Sequence, residues 1–270
     1  MRTFGHFILI ACLAASALAG AQSPAPDAAA GVLTAARDAL GGEKKLSAVK
    51  TIVATGRTRQ VRGDNLVPIE FEIAIELPDK YARKDEIPAQ ESGPTTSGFS
   101  GEELIQFPIP GPPPARAGGP PPPTPEQMAA ASRMRLSAVK QDFVRLTLGL
   151  FASSFSSYPV TFSYVGKAEA PQGKADVLDV KGPSGPGAFA ARLFVNDSTH
   201  LPIMISWTAP APKPPPPESR LYFADYRDVN GMQFPFRLRR ALGPDTVEET
   251  TFDGFRINGK IDPRKFEVRK

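Results

Sequence analysis

The chain has 270 residues but only one cysteine, two histidines and one tryptophan. The cysteine, Cys12, and one histidine, His6, fall within the first 21 residues. The remainder therefore carries no thiol and a single imidazole, His200. Disulfide frameworks and thiol nucleophiles are excluded there, and a zinc centre, which needs several Cys or His ligands, is not expected. A Ser-His-Asp triad would have to use His200. That residue closes Asp197-Ser198-Thr199-His200 between two strand patterns and reads as a surface turn. The G-x-G-x-x-G and Walker phosphate loops are missing as well, so nucleotide binding is not indicated.

Charge of one sign is also lacking. Thirty-two basic residues stand against 28 acidic ones, a net +4, with no long basic run, and nucleic acid is not an expected partner. Arg237, Arg239 and Arg240 cluster beside Phe236 and Leu238 and read as one solvated strand face. No apolar run is long enough to span a bilayer, which takes about 20 residues. Phe7–Leu18 comes nearest. With Arg2 before it and small residues at Ala17, Ala19 and Ala21 after it, this stretch reads as a secretory signal peptide covering residues 1–21. The expected product is exported, periplasmic and soluble. The alternative is a membrane-anchored lipoprotein: Leu9-Ile10-Ala11-Cys12 resembles a bacterial lipobox, whose cysteine carries the lipid.

Proline is abundant, at 30 residues, but ten lie in Pro108–Pro125 and six in Pro210–Pro217. The rest has ordinary globular composition. Residues 22–270 thus read as one domain with proline-rich loop insertions at 108–125 and 209–217, which serve as loop tips or as polyproline ligands for a partner.

Asp27 reads as the cap of a helix carrying Val32, Ala35, Ala36, Ala39 and Leu40 at helical spacing, stopped by Gly41-Gly42. Glu43–Val49 forms a second helical turn. From Thr51 the period falls to two. Ile69–Leu77 alternates most cleanly, with Ile69, Phe71, Ile73, Ile75 and Leu77 on one face and Glu70, Glu72 and Glu76 on the other. Those carboxylates mark the wet face rather than a glycosidase pair. Ser97–Phe107 supplies further strand. Thr124-Pro125 begins a helix running to about Phe151, with Leu136, Val139, Phe143, Leu146 and Leu150 as its apolar stripe and Lys140 off it. The remainder is a meander punctuated by turns, Asn230-Gly231 giving the strongest hairpin signal. The fold class is α+β: a curled antiparallel sheet of about ten strands, an incomplete β-barrel, with helices covering its concave face.

Three segments resemble the LolA/LolB-like superfamily of periplasmic outer-membrane lipoprotein-sorting proteins. They are Ala39-Leu40-Gly41-Gly42 with Leu46 and Val49, then Asn196–Pro202, and finally Tyr222–Pro235 followed by Ile257-Asn258 and Ile261–Phe266. The resemblance implies non-catalytic binding or carriage of lipid or lipoprotein acyl chains in the half-barrel, with no cofactor and no metal. Its apolar wall is expected from Phe71, Ile73, Ile75, Phe143, Leu146, Ile205, Trp207, Phe223 and Phe236. Periodicity alone leaves a second reading open, an envelope scaffold with a packed core that contacts a protein partner through its proline-rich loops.

Overall fold

The computed structural model describes residues 26–268, apart from 89, 92, 110–121, 171–172, 186–187 and 210–215. The expected signal peptide and most of both proline-rich insertions lie outside the described residues. Helices α1 (Pro26–Ala39) and α2 (Glu43–Ser47) come first, then strands β1 (Thr51–Arg62), β2 (Asn65–Glu76), β3 (Lys80–Glu86), β4 (Thr95–Ser100) and β5 (Glu103–Phe107). Helix α3 (Pro125–Phe151) separates these from β6 (Thr161–Ala170), β7 (Gly173–Lys181), β8 (Ala190–Asn196) and β9 (Pro202–Trp207). Strands β10 (Ser219–Val229), β11 (Met232–Leu242) and β12 (Asp245–Ile257) complete the sheet, and a 3₁₀ turn, Pro263–Phe266, follows.

All the strands join one twelve-stranded sheet in the order β5-β4-β3-β2-β1-β12-β11-β10-β9-β8-β7-β6. Neighbours are antiparallel throughout, and the edges β5 and β6 do not pair with each other, so the sheet curls without closing. The count exceeds the expected ten. One reason is that Ser97–Phe107 is two strands: Gly101, at φ 59°, turns the chain so that Ser100 pairs with Glu103. The Asn230-Gly231 hairpin forms as expected. Both residues have positive φ, 58° and 76°, and Val229 pairs with Met232 across them.

The concave face holds the main core. Register aligns its side chains across strands: Ile52 with Ile75, Ile75 with Tyr81, Tyr81 with Phe99, and Leu193 with Ile205. Helix α1 adds Leu33 and Ala36 to this core, and the turn after it adds Leu40. Its first residue is Pro26, so Asp27 lies within the first turn instead of capping it. Near α2, the Asn258 amide carbonyl accepts from Lys50 N at 2.7 Å and its NH₂ donates to Ala48 O at 3.1 Å, tying the carboxy-terminal strand to the start of β1. The outer face is not wholly wet. Phe266 of the 3₁₀ turn covers Ala74, Ala82 and Ile105, and Glu72, expected in solvent, is paired with Lys265.

Helix α3 is the one element that connects the two edge strands. Its 27 residues give a rod of about 40 Å. The start is a capping box on Pro125: Thr124 Oγ1 accepts from Gln127 N at 3.2 Å, and Gln127 Oε1 accepts from Thr124 N at 2.8 Å. Up to Val139 the rod is mostly exposed. From Phe143 to Phe151 every residue but Arg145 is buried. Lys140, expected off the stripe, is also buried: its ammonium lies 5.5 Å from the centre of the Phe99 ring, and Nζ reaches Glu102 at 2.6 Å. Gly149 lets the helix sit low in the concavity, because a Cβ there would lie 2.2–2.6 Å from the Phe223 ring. The Tyr226 hydroxyl, 2.7 Å from Pro202 O and 3.2 Å from Gly149 O, donates at the same contact.

Candidate functional site

The inner face changes chemistry along its length. At the end closed by α1 and α2 it is aliphatic and aromatic. At the opposite end, where β1 turns into β2, its rows read Thr58 and Gln60 on β1, Arg83 and Asp85 on β3, and Glu248 and Thr250 on β12. Phe107 and Trp207 also lie at this end by register, so the chain enters both proline-rich insertions there.

A hydrogen-bonded chain organises the polar rows. Arg83 donates from Nε to Asp85 at 2.8 Å and from Nη2 to Thr58 Oγ1 at 3.2 Å. Thr58 and Thr250, both buried, share a hydrogen at 2.9 Å, and Thr250 Oγ1 donates to Glu248 at 3.4 Å. Since guanidinium only donates and carboxylate only accepts, the hydroxyls are oriented in one direction, from Arg83 to Glu248. Burial works against the Arg83 charge, but the Asp85 carboxylate beside it holds its pKa above the ordinary value. Burial likewise pushes the Tyr81 phenol well above its usual range.

Where α3 crosses this region, a cleft of about 150 Å³ opens. Ile73, Leu221, Leu238 and Phe252 line it from the sheet and Leu146 from the helix. Trp207, Arg145 and Arg240 stand at its side. The Arg145 guanidinium stacks 4.3 Å from the indole centre and Arg240 lies 5.6 Å from it. Arg145 donates from Nη1 to Asp142 at 2.8 Å and from Nη2 to Gln141 at 3.3 Å, while its buried Nε meets no acceptor among the described residues. Burial lowers the Arg145 pKa; Asp142 opposes that shift and the positive charge of Arg240 adds to it. Tyr81, Arg83, Asp142 and Glu248 also border a second groove, of about 390 Å³, towards Gln90 and Thr95. A third hollow, of about 490 Å³, lies on the outer face between Ala82, Ile105 and Lys265.

The nine apolar residues expected to form a cavity wall all belong to the concave core or pack against it. Ile73, Leu146 and Trp207 border the cleft. The other six, Phe71, Ile75, Phe143, Ile205, Phe223 and Phe236, are buried within the core. His200 is exposed, in a turn, as expected. The charged members of the site were not anticipated. Arg240 in particular is not on one solvated face with Arg237 and Arg239: it faces inward with Leu238, because Leu238 and Arg240 are two apart and adjacent strand residues point oppositely. That parity was available in Phe236-Arg237-Leu238-Arg239-Arg240. Among the described residues no group of three or more Cys, His, Asp or Glu side chains is placed to hold a metal ion, and no helix is long and apolar enough to cross a membrane.

Comparison of the sequence with known family models finds no match, and neither does comparison with curated proteins. Solved structures do match. A LolA superfamily protein from Nitrosomonas europaea aligns over 88% of this chain and 97% of its own, with TM-score 0.54 and 13% identity. A Vibrio parahaemolyticus domain described as an outer membrane lipoprotein-sorting protein aligns over 90% and 97%, with TM-score 0.50 and 9% identity. At such identities the likeness is one of fold: an open, curled antiparallel sheet with a helix in its concavity.

Proposed function

We propose that this chain is an exported, periplasmic, non-catalytic protein, a single half-barrel domain that binds or carries lipid or lipoprotein acyl chains on its concave face beneath α3. The observation that carries the reading is the cleft between Leu146 and the sheet, whose apolar floor runs into the core. The fold shared with a lipoprotein-sorting domain supports it.

The energetics allow a ligand to replace part of the buried face of α3. Burying an acyl chain gains roughly 0.8 kcal/mol per CH₂, so about 14 of them give on the order of 11 kcal/mol before ordering costs. Lifting Phe143, Leu146 and Leu150 off the sheet would forfeit about 1.5–3 kcal/mol each. The two sums are comparable. An acyl chain therefore has enough driving force to take the place of these three side chains on the concave face, with Phe71, Ile73, Ile75, Ile205, Trp207, Phe223 and Phe236 as its floor. Native mass spectrometry after gentle purification, together with titration of a fluorescent fatty acid, tests this. Bound lipid, or saturable uptake of the probe, is expected. A ligand-free protein that takes up no probe overturns the reading.

Fully buried Phe143, Leu148 and Phe151 favour the second reading, a scaffold whose concavity is filled by its own helix. Deleting residues 108–123 separates the two. Loss of a co-purifying envelope protein with lipid uptake intact supports the scaffold.

A further inference from the structure

Each charged side chain bordering the cleft has its own hydrogen-bonding partner except one. Arg83 is matched by Asp85 and Arg145 by Asp142, while Glu248 accepts from Thr250 and, at 3.5 Å, from Gln60. Arg240, half-buried, forms neither an ion pair nor a hydrogen bond among the described residues. It lies against the Trp207 ring, directly across the ladder from Glu248. The same ring carries the Arg145 guanidinium, so two positive charges converge on one indole above an apolar floor. Burial is the main cause of the lowered Arg145 pKa, and repulsion from Arg240 adds to it. An anion placed between Arg240 and the indole edge would relieve it. A guanidinium is suited to that task, because its planar fork meets a carboxylate or phosphate with two parallel hydrogen bonds.

We infer that Arg240, supported by Arg145 and Trp207, is the seat for the anionic end of the bound molecule, a carboxylate or phosphate, whose apolar chain runs over Ile73, Leu221, Leu238 and Phe252. This rests on the acyl-binding reading and narrows its ligand class to anionic amphiphiles. Glu248, on the neighbouring strand, makes the seat selective: a second negative charge on the ligand would be repelled, and a single anionic group is the better fit.

Trp207 is the only tryptophan of the chain, so its fluorescence reports on this site without a label. The experiment titrates the purified protein with dodecanoate, dodecanol, dodecyl phosphate and inorganic phosphate, below micelle-forming concentrations, and repeats the series on Arg240→Gln and Arg240→Lys. Dodecanoate is expected to bind about tenfold more tightly than dodecanol, the factor set by one charge-assisted contact, and dodecyl phosphate, which carries close to two charges near pH 7, less tightly than dodecanoate. In Arg240→Gln that ratio should fall to near one, and Arg240→Lys should keep part of it. Equal affinity for dodecanoate and dodecanol in the parent protein overturns the anion seat and leaves acyl binding standing. Inorganic phosphate binding as tightly as dodecyl phosphate overturns the amphiphile. If no probe with a chain binds, acyl binding and the anion seat fall together.

Discussion

Replacing Gly149 by alanine tests whether the buried half of α3 is seated in the sheet. On an exposed helix, Gly→Ala stabilises by about 1 kcal/mol. Here the added Cβ would stand 2.2, 2.5 and 2.6 Å from three atoms of the Phe223 ring, well inside ordinary contact, which begins at 3.4 Å. Phe223 is 1% exposed and has no free volume to turn into, and Tyr226 holds the same stretch of helix against Pro202. Overpacking of this kind costs typically 1–3 kcal/mol, and a clash with three ring atoms belongs at the top of that range. Set against the propensity gain, the net is a destabilisation of about 2 kcal/mol, or a fall in Tm of about 4–8 °C for a chain of this size. Thermal and urea denaturation of Gly149→Ala, Phe223→Leu and the double variant give the measurement. The double variant should be less destabilised than the sum of the singles, by about 1 kcal/mol, because leucine vacates the space the methyl needs. A Gly149→Ala protein that melts higher than its parent would refute the reasoning, since that is the sign for a helix not packed on β10.

Three further outcomes follow from the geometry. Thr124→Ala removes the capping box at a cost of about 1 kcal/mol to the helix, but the first turns of α3 are exposed, so faster amide exchange over residues 126–131 is expected with little change in global Tm. Glu102→Gln deprives the buried Lys140 ammonium of its carboxylate and should cost about 1 kcal/mol in chemical denaturation, whereas Lys140→Met, which keeps the packing on Phe99 and removes the charge, should cost less than that. Burial raises the pKa of both Tyr81 and Tyr226. Below about pH 10 the folded and unfolded chains hold these protons alike; above it only the unfolded chain releases them, so stability should fall by up to about 1.4 kcal/mol per pH unit per tyrosine. Tyr81→Phe should reduce that slope in melts between pH 9 and 11, and an unchanged slope would contradict the burial of its phenol.

The parts of the fold written in the sequence are those set by local rules. Thr124-Pro125 with Gln127 starts a helix because cap and box satisfy its first amides. Asn230-Gly231 makes a two-residue hairpin because both positions accept positive φ. Ile69–Leu77 alternates because one face is covered. Pairings between distant segments are different. Strand β1 joins β12, nearly 200 residues away, through a register that slips between Thr55 and Gly56, and no turn spacing announces either feature. The burial of Lys140 was hidden for a related reason: a lysine on a helical wheel reads as wet unless Phe99 and Glu102 are known to lie beneath it.

The candidate site was half legible, and the division follows from how a curled sheet distributes polarity. Apolar residues two apart declare the inner face, which is how Phe71, Ile73 and Ile75 were placed correctly. The same rule applied further along each strand leads from Tyr81 to Arg83 and Asp85, and from Leu238 to Arg240. Charges that continue an apolar row are usually strand ends reaching solvent. Here they stay inside, because α3 passes over them, and Arg83 is held by Asp85 on its own strand and by Thr58 across the sheet. The outcome is an inner surface that is oily at the end closed by α1 and α2 and ionic at the open end. A purely apolar ligand would leave Arg240 without a partner. A water-soluble anion would leave the oily end unused. A molecule with one charged end and one apolar chain satisfies both, and it would need to enter from the open end, where Phe107 and Trp207 lead into the proline-rich insertions.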